Sequence, residues 1–337
     1  MGGITMSLVK DFFIGLSNNT FLNNSAKKYG PVLGASKVVV GNSLDDLIKT
    51  IRELNDKGIT VTVDCLGEFV GTEEESLIEK NIILKVLQAM HDNDVKAHLS
   101  IKISQLGAEF DLDLAERNLR EIVAKAKELD NRHVNIDTEK FEGLDDILHV
   151  LDDISKEYDN VGTVIQAYLY TATDMVEKYP HIRLRLVKGA YKENASIAYQ
   201  NKEDIDANYI SLIEKRLKNA KNFTSIATHD DKIIDHVKKF VEENNINRDD
   251  FEFQMLFGFR TDLAYATADE NYNFCIYVPF GDDWFGYFMR RLAERPQNLN
   301  LAVKEFVKPK SLAITAGVIA AVIGVTTAAT ALIKKNK

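Results

Sequence analysis

Between residues 36 and 298 the sequence alternates short strand-like runs with longer stretches, most of which read as helices. The strand-like runs lie near 61–66, 98–104, 132–137, 162–166, 182–188, 223–227, 251–256 and 273–278. Leu77, Ile78, Ile82, Leu84, Leu87 and Met90 mark one intervening helix, and Leu114, Leu119, Ile122, Val123, Ala126 and Leu129 mark another. Asp113, with Glu116 three residues later, is read as a start signal for the second, and Asp206 as the start of a later helix. Strands separated by helices pair in parallel through right-handed crossovers. Eight of them favour a closed barrel over an open doubly wound sheet.

The strands carry a second pattern. His98, Ser100, Lys102 and Ser104 alternate with Leu99, Ile101 and Ile103; Thr62, Asp64 and Glu68 alternate with Val61, Val63 and Cys65. His133, Asn135 and Asp137 oppose Val134 and Ile136, Arg183 and Arg185 oppose Leu184 and Leu186, and Glu252 and Gln254 oppose Phe253 and Met255. Period-two alternation normally marks one solvated face of an antiparallel sheet. In a barrel the apolar side packs on the helices and the polar side fills the lumen. A lumen of Asp, Lys, Arg and Glu is costly unless its groups pair or bind something. A self-satisfied ionic core is one account of it; a ligand site at the C-terminal strand ends is the other. The expected fold is therefore an α/β protein, a TIM-type (β/α)8 barrel over residues 36–305, with an N-terminal helical extension (1–35) and a C-terminal apolar helix (306–337).

The net charge of −9 opposes phosphate backbones, so no nucleic-acid partner is expected. Cys65 and Cys275 lie in apolar runs and read as buried thiols. No Cys/His cluster has metal-ligand spacing, so no metal is expected, and neither G-x-G-x-x-G nor a Walker A loop occurs. No secretory signal or myristoylation motif is present at the N-terminus, which points to the cytoplasm. Residues 311–333 carry no charge, and Lys308, Lys310, Lys334, Lys335 and Lys337 flank them. That length meets the criterion for a membrane-spanning helix. The expectation is a membrane contact through 311–333 that holds the catalytic domain at the inner face of the cell membrane; an Ala-rich packed helix or a tail is the alternative.

Near the end of the repeat stands Gly286-Tyr287-Phe288-Met289-Arg290-Arg291-Leu292-Ala293-Glu294. On a helix Tyr287, Arg290, Arg291 and Glu294 share one face, opposite Phe285, Phe288, Met289 and Leu292. Periodicity alone favours a solvated face with an Arg290–Glu294 pair. The functional reading is a carboxylate clamp, since guanidinium forks bind carboxylates bidentately and an aromatic neighbour can cover a small ring.

Tyr-x-x-Arg-Arg-x-x-Glu after a barrel-like repeat resembles the closing helix of proline dehydrogenases. Ser100-Ile101-Lys102-Ile103-Ser104, Asn135-Ile136-Asp137, Ile165-Gln166-Ala167-Tyr168, Arg185-Leu186-Val187-Lys188-Gly189-Ala190-Tyr191, Ala227-Thr228-His229, Phe251-Glu252-Phe253-Gln254 and Tyr277-Val278-Pro279 follow in that family's order. The resemblance covers roughly residues 60–298 and is to the monofunctional bacterial enzymes. It implies oxidation of L-proline to Δ1-pyrroline-5-carboxylate on a bound FAD. It further implies a membrane quinone as electron acceptor and a pyrroline-5-carboxylate dehydrogenase downstream.

The same resemblance implies residue roles. Arg290, Arg291 and Lys102 would hold the proline carboxylate, with Glu294 orienting the arginines. Tyr277, Tyr287, Leu186 and Tyr191 would wall in the ring. Asp137 would support the tyrosine side, and Glu68 would close over the substrate by pairing with Arg290. Gln166, Arg185, Lys188, Gly189, Ala190, Thr228, His229 and Gln254 would contact the cofactor. Asp230 stands where many relatives carry Asn, and Lys192 where some carry Trp. Read individually, Lys102 and Asp137 can equally be a lumen ion pair, His229 a helix-cap neighbour and Tyr277 a core aromatic. Two other functions use the same barrel: a Schiff-base aldolase with Lys102 or Lys188 as nucleophile, and a membrane-tethered amino-acid-binding barrel without turnover.

Overall fold

In the computed structural model, residues 39–281 apart from 42, 68 and 69 are described. Eight parallel strands close in sequence order: β1 (Thr60–Cys65), β2 (Ala97–Ile101), β3 (Val134–Ile136), β4 (Val161–Gln166), β5 (Arg183–Val187), β6 (Thr224–Ala227), β7 (Phe251–Leu256) and β8 (Phe274–Phe280). β8 returns to β1 in register over Thr60↔Cys275 to Cys65↔Phe280, which seals the cylinder. Eight helices are present among the described residues: α1 (Leu44–Asn55), which precedes β1, then α2 (Glu73–Asp92), α3 (Leu112–Glu128), α4 (Leu144–Ile154), α5 (Ala172–Lys178), α6 (Lys202–Asn219), α7 (Asp231–Glu243) and α8 (Thr261–Asp269).

The helices bury the stripes the sequence marked. In α1, Leu47, Ile48, Ile51 and Leu54 are buried, and Ser43 caps the start by accepting from the Asp46 amide. In α3, Leu114, Ala115, Leu119, Ile122, Val123 and Ala126 are buried. Its start differs from expectation: Asp111, not Asp113, is the cap, accepting from Leu114 N at 2.9 Å. Asp206 likewise lies inside α6, which begins at Lys202 after Asn201, and its carboxylate pairs with both Lys188 and Lys202. Ile103–Leu106 form a 3-10 turn after β2, so the strand stops before Lys102. At the lower barrel rim the loops are fastened by buried arginines. Arg132 donates to the carbonyls of Val95, Ala97 and Met90, and Arg216 to those of Tyr179 and Ile182.

The barrel is as expected, but the expected C-terminal membrane helix is corrected. No helix among the described residues is long and apolar enough to cross a membrane. The two with 18 or more residues, α2 and α6, are sided helices whose charged residues exclude a span. The described residues thus show the (β/α)8 barrel and no membrane-crossing helix that would support the placement at the inner face of the cell membrane. The segments 1–35 and 306–337 lie outside the described residues.

The polar strand positions are buried in the lumen, as the alternation implies. Its lower layer holds His98, His133, Arg183, Ser225 and Glu252. Glu252 Oε1 accepts from Arg183 at 2.8 Å and Ser225 at 2.7 Å, and the two imidazoles meet edge to face at 5.5 Å. Gly162 makes room here, since a Cβ on it would lie 2.3 Å from the Arg183 carbonyl oxygen and 2.8 Å from the His133 ring. Burial, and then the Arg183 charge, hold both imidazoles well below their ordinary value of 6.5. The unfolded chain therefore takes up protons near pH 6.5 that the folded chain refuses, and acid favours unfolding by up to about 1.4 kcal/mol per pH unit for each imidazole. Denaturant midpoints should fall steadily from about pH 7 to about pH 5. Replacing both imidazoles by Asn should flatten that slope; an unchanged slope in the double variant would remove the two histidines as its cause.

Candidate active site

Asp137 follows β3 and is the meeting point of the upper lumen. Its Oδ1 accepts from Arg185 Nη1 at 2.7 Å, Ser100 Oγ at 2.6 Å and Asn135 Nδ2 at 2.9 Å. Its Oδ2 accepts from the Tyr277 hydroxyl at 2.9 Å. Arg185 Nη1 also donates to Ser100 Oγ at 2.7 Å, Nη2 reaches Thr62 Oγ1 at 3.3 Å, and the guanidinium lies 5.3 Å from the Tyr277 ring centroid. These groups come from β1, β2, β3, β5 and β8, and they meet because the registers Asp64↔Ser100 and Ser100↔Asn135 bring polar phases side by side.

Burial acts to raise the Asp137 carboxyl, but Arg185, Lys102 and the hydroxyls of Ser100 and Tyr277 outweigh it and hold it below its ordinary value. Burial, then the charges of Asp137 and Asp64, push the Tyr277 phenol well up, so it stays a hydrogen-bond donor. Lys102 pairs with Asp64 at 3.0 Å, both side chains being almost wholly buried. In the upper lumen Lys102 pairs with Asp64 and Arg185 with Asp137, and the Lys102 charge acts on Asp137 as well.

A second group lines the strand ends from β4 to β7. Gln166 Nε2 donates to the Glu139 carbonyl at 3.0 Å, and Ser104 Oγ to the Glu139 carboxylate at 3.0 Å. Lys188 lies between Asp206 at 2.5 Å and Asp230 at 3.2 Å. Gly189, at φ +111, has the Tyr168 ring where a Cβ would stand, 2.4 Å away, so only glycine lets the chain turn there. Ala190 and Tyr191 follow it, half-buried. Thr228 is buried, its amide donating to the Gln254 carbonyl at 3.1 Å, while Leu256 N donates to His229 Nε2 at 3.2 Å. Gln254 sits deeper, donating to Glu252 at 2.6 Å. Leu186 is fully buried in the hydrophobic core, out of phase with Arg185, so the geometry does not bring it to the Asp137 group. Glu68, Tyr287, Arg290, Arg291 and Glu294 lie outside the described residues.

The sequence reading passed over Asp64, Ser100 and Glu139 as site residues. The available signal was phase: Asp64 shares the phase of Thr62, and Glu139 continues the phase of Asn135 and Asp137. It also saw no metal-ligand spacing, yet the barrel brings His98, Glu252 and Cys275 within 4.8 Å of one another from three strands. Both cysteines are buried and unbridged, and burial pushes both thiols up.

Comparison with known proteins decides the family. The profile of the family described as proline dehydrogenase matches residues 47–307. This chain belongs to the proline dehydrogenase family. It is 41% identical over 303 residues to proline dehydrogenase 2 of Bacillus subtilis (strain 168), covering 89% of this chain and 99% of that protein. It is 39% identical over 281 residues to proline dehydrogenase of Deinococcus radiodurans, covering 81% and 90%. Among solved structures, proline utilization A from Bdellovibrio bacteriovorus inactivated by N-propargylglycine shares the fold at a TM-score of 0.73 and 24% identity, over 83% of this chain and 34% of that longer one.

Within this proline dehydrogenase family barrel, Asp137→Asn should leave the buried Arg185 charge uncompensated and cost on the order of 3 kcal/mol of unfolding free energy. The double variant Asp137→Leu/Arg185→Met, which removes both charges, should recover much of that loss in urea titrations. Equal destabilisation of single and double variants would show that the pair does not carry the coupling.

Proposed function

We propose that this chain is an FAD-dependent oxidoreductase that converts L-proline to Δ1-pyrroline-5-carboxylate and passes the electrons to a membrane quinone, with a pyrroline-5-carboxylate dehydrogenase acting next. The observation that carries the reading is the convergence of Lys102, Arg185 and Tyr277 on two buried carboxylates at the C-terminal strand ends, in a member of this family. Barrel active sites lie at that end.

The residues at hand fit a flavin. Arg185 Nε and Gln254 Oε1 are buried polar atoms with no hydrogen-bond partner. Gln166, Arg185, Lys188 and Thr228 offer amide, guanidinium, ammonium and hydroxyl groups suited to a flavin's carbonyl edge and diphosphate, and Gly189, Ala190 and His229 stand beside them. When bound, the flavin supplies a two-electron acceptor for the hydride leaving ring carbon 5 of proline, as the ring nitrogen gives up its proton and the C=N bond forms.

The rest is positioning and desolvation. Lys102, with Arg290 and Arg291, fixes the substrate carboxylate. Glu294 orients the arginines and Glu68 pairs with Arg290 over the bound substrate. Tyr277, with Tyr287 and Tyr191, covers the ring. Asp137 holds the Tyr277 hydroxyl and the Arg185 guanidinium in place, and it stays ionised because two cations and two hydroxyls favour its charge. The aldolase alternative needs a lysine presenting a neutral amine, and both Lys102 and Lys188 are engaged by carboxylates.

Purified protein should be yellow and should bleach when L-proline is added without oxygen. A colourless protein, or a yellow one that proline does not bleach, overturns the assignment. Arg291→Ala should raise the proline concentration needed for half-maximal rate by about 100-fold, roughly the cost of one charge-assisted bidentate pair, while flavin stays bound. Normal proline affinity in that variant would remove Arg291 from the clamp.

A further inference from the structure

We propose that Asp64 is a positioning residue that holds the Lys102 ammonium, charged and in place, for the carboxylate of the substrate. The proposal rests on the reading of Lys102 as a carboxylate ligand. Lys102 stands at the end of β2 with 8% of its surface exposed, and a lysine so buried tends to shed its charge. Asp64, itself 1% exposed, lies 3.0 Å from its Nζ. The backbone of Lys102 is fastened to the same strand. Lys102 N donates to Gln105 Oε1 at 3.1 Å, and Gln105 Nε2 donates to the carbonyl of Cys65 at 3.1 Å. Both ends of the lysine are therefore tied to consecutive residues of β1. An ammonium donates up to three hydrogen bonds, so an incoming carboxylate need not displace Asp64.

The groups around Lys102 narrow what a pH titration can report. Cys65 and Tyr277 are pushed up by burial and by the Asp64 charge, with Glu79 of α2 adding to the effect on Cys65. Asp137 is held down by Arg185 and Lys102 against its burial. Neutralising Asp64 removes the carboxylate that lies 3.0 Å from the Lys102 ammonium, and a cation so buried is then less favoured. The Lys102 charge, and with it the grip on a carboxylate, would be lost as pH rises through its ionisation.

The test uses the full chain with its flavin and two ligands. L-Proline gives KM and kcat, and cyclopentanecarboxylate, a ring carboxylate with no amine to oxidise, gives a calorimetric Kd. Asp64→Asn should raise both KM and Kd at least about tenfold at neutral pH, equivalent to one unit of pKa change. The loss should deepen toward alkaline pH, with kcat at saturation moved far less. Asp64→Glu, which keeps the charge, should restore part of the affinity and the native pH profile, and it serves should Asp64→Asn fail to fold. Native affinity in Asp64→Asn, or a loss that does not change with pH, overturns the proposal. A separate variant, Lys102→Gln, distinguishes the premise: native affinity for both ligands there would sink the reading of Lys102 itself.

Discussion

The carboxylate of Asp137 is the tie on which the upper half of the barrel depends. It accepts hydrogen bonds from side chains of β2, β3, β5 and β8, so one anion joins strands on opposite walls of the cylinder. An aliphatic barrel core can be filled by any side chains of suitable volume. A charged lumen cannot, because each ion must be matched in sign and met at hydrogen-bond distance or be expelled. Here the matching is pairwise: Arg185 with Asp137, Lys102 with Asp64, and Arg183 with Glu252. The described part of the lumen thus holds its cations against carboxylates before any ligand arrives, and what remains for recognition is the direction of the donors.

That arrangement explains which parts of the structure were legible in the sequence. Strand positions and phase were, because β2, β3, β5 and β7 put charged or polar residues at every second position while the helices kept apolar stripes. The lumen identity of Lys102, Asp137 and Arg185 followed from phase alone. Their partners did not. Pairing depends on register between strands far apart in the chain, and Asp64 meets Lys102 across 38 residues while Arg185 meets Thr62 across 123. Helix starts were read less well than helix bodies for the same kind of reason. Asp111 and Asp113 are both plausible caps, and only the turn after Gly107 decides that Asp111 receives the amide of Leu114.

The family resemblance and the geometry contribute different things. Resemblance selected Gln166, Lys188, Thr228 and His229 as cofactor ligands, which periodicity could not have done, since each ends a strand as any loop polar residue might. Geometry adds what resemblance omitted: Lys188 lies between Asp206 and Asp230. The two carboxylates balance the lysine's charge at this edge of the site. The expected C-terminal membrane helix has no counterpart among the described residues, where no helix is long and apolar enough to cross a membrane.

The pairing in the lumen also bears on how such a site can favour an anionic substrate without collapsing onto itself. Binding a carboxylate brings one negative charge to a set of groups already balanced. If Lys102 had to abandon Asp64 to receive it, each binding event would strand a buried anion, at a cost that exceeds the gain from one new ion pair. An ammonium can serve two carboxylates because its donors diverge, whereas the planar guanidinium of Arg185 is committed to Asp137, Ser100 and Thr62. The geometry thus separates the two cations: Arg185 ties strands of the barrel together through Asp137, Ser100 and Thr62, whereas Lys102 is held to β1 by Asp64.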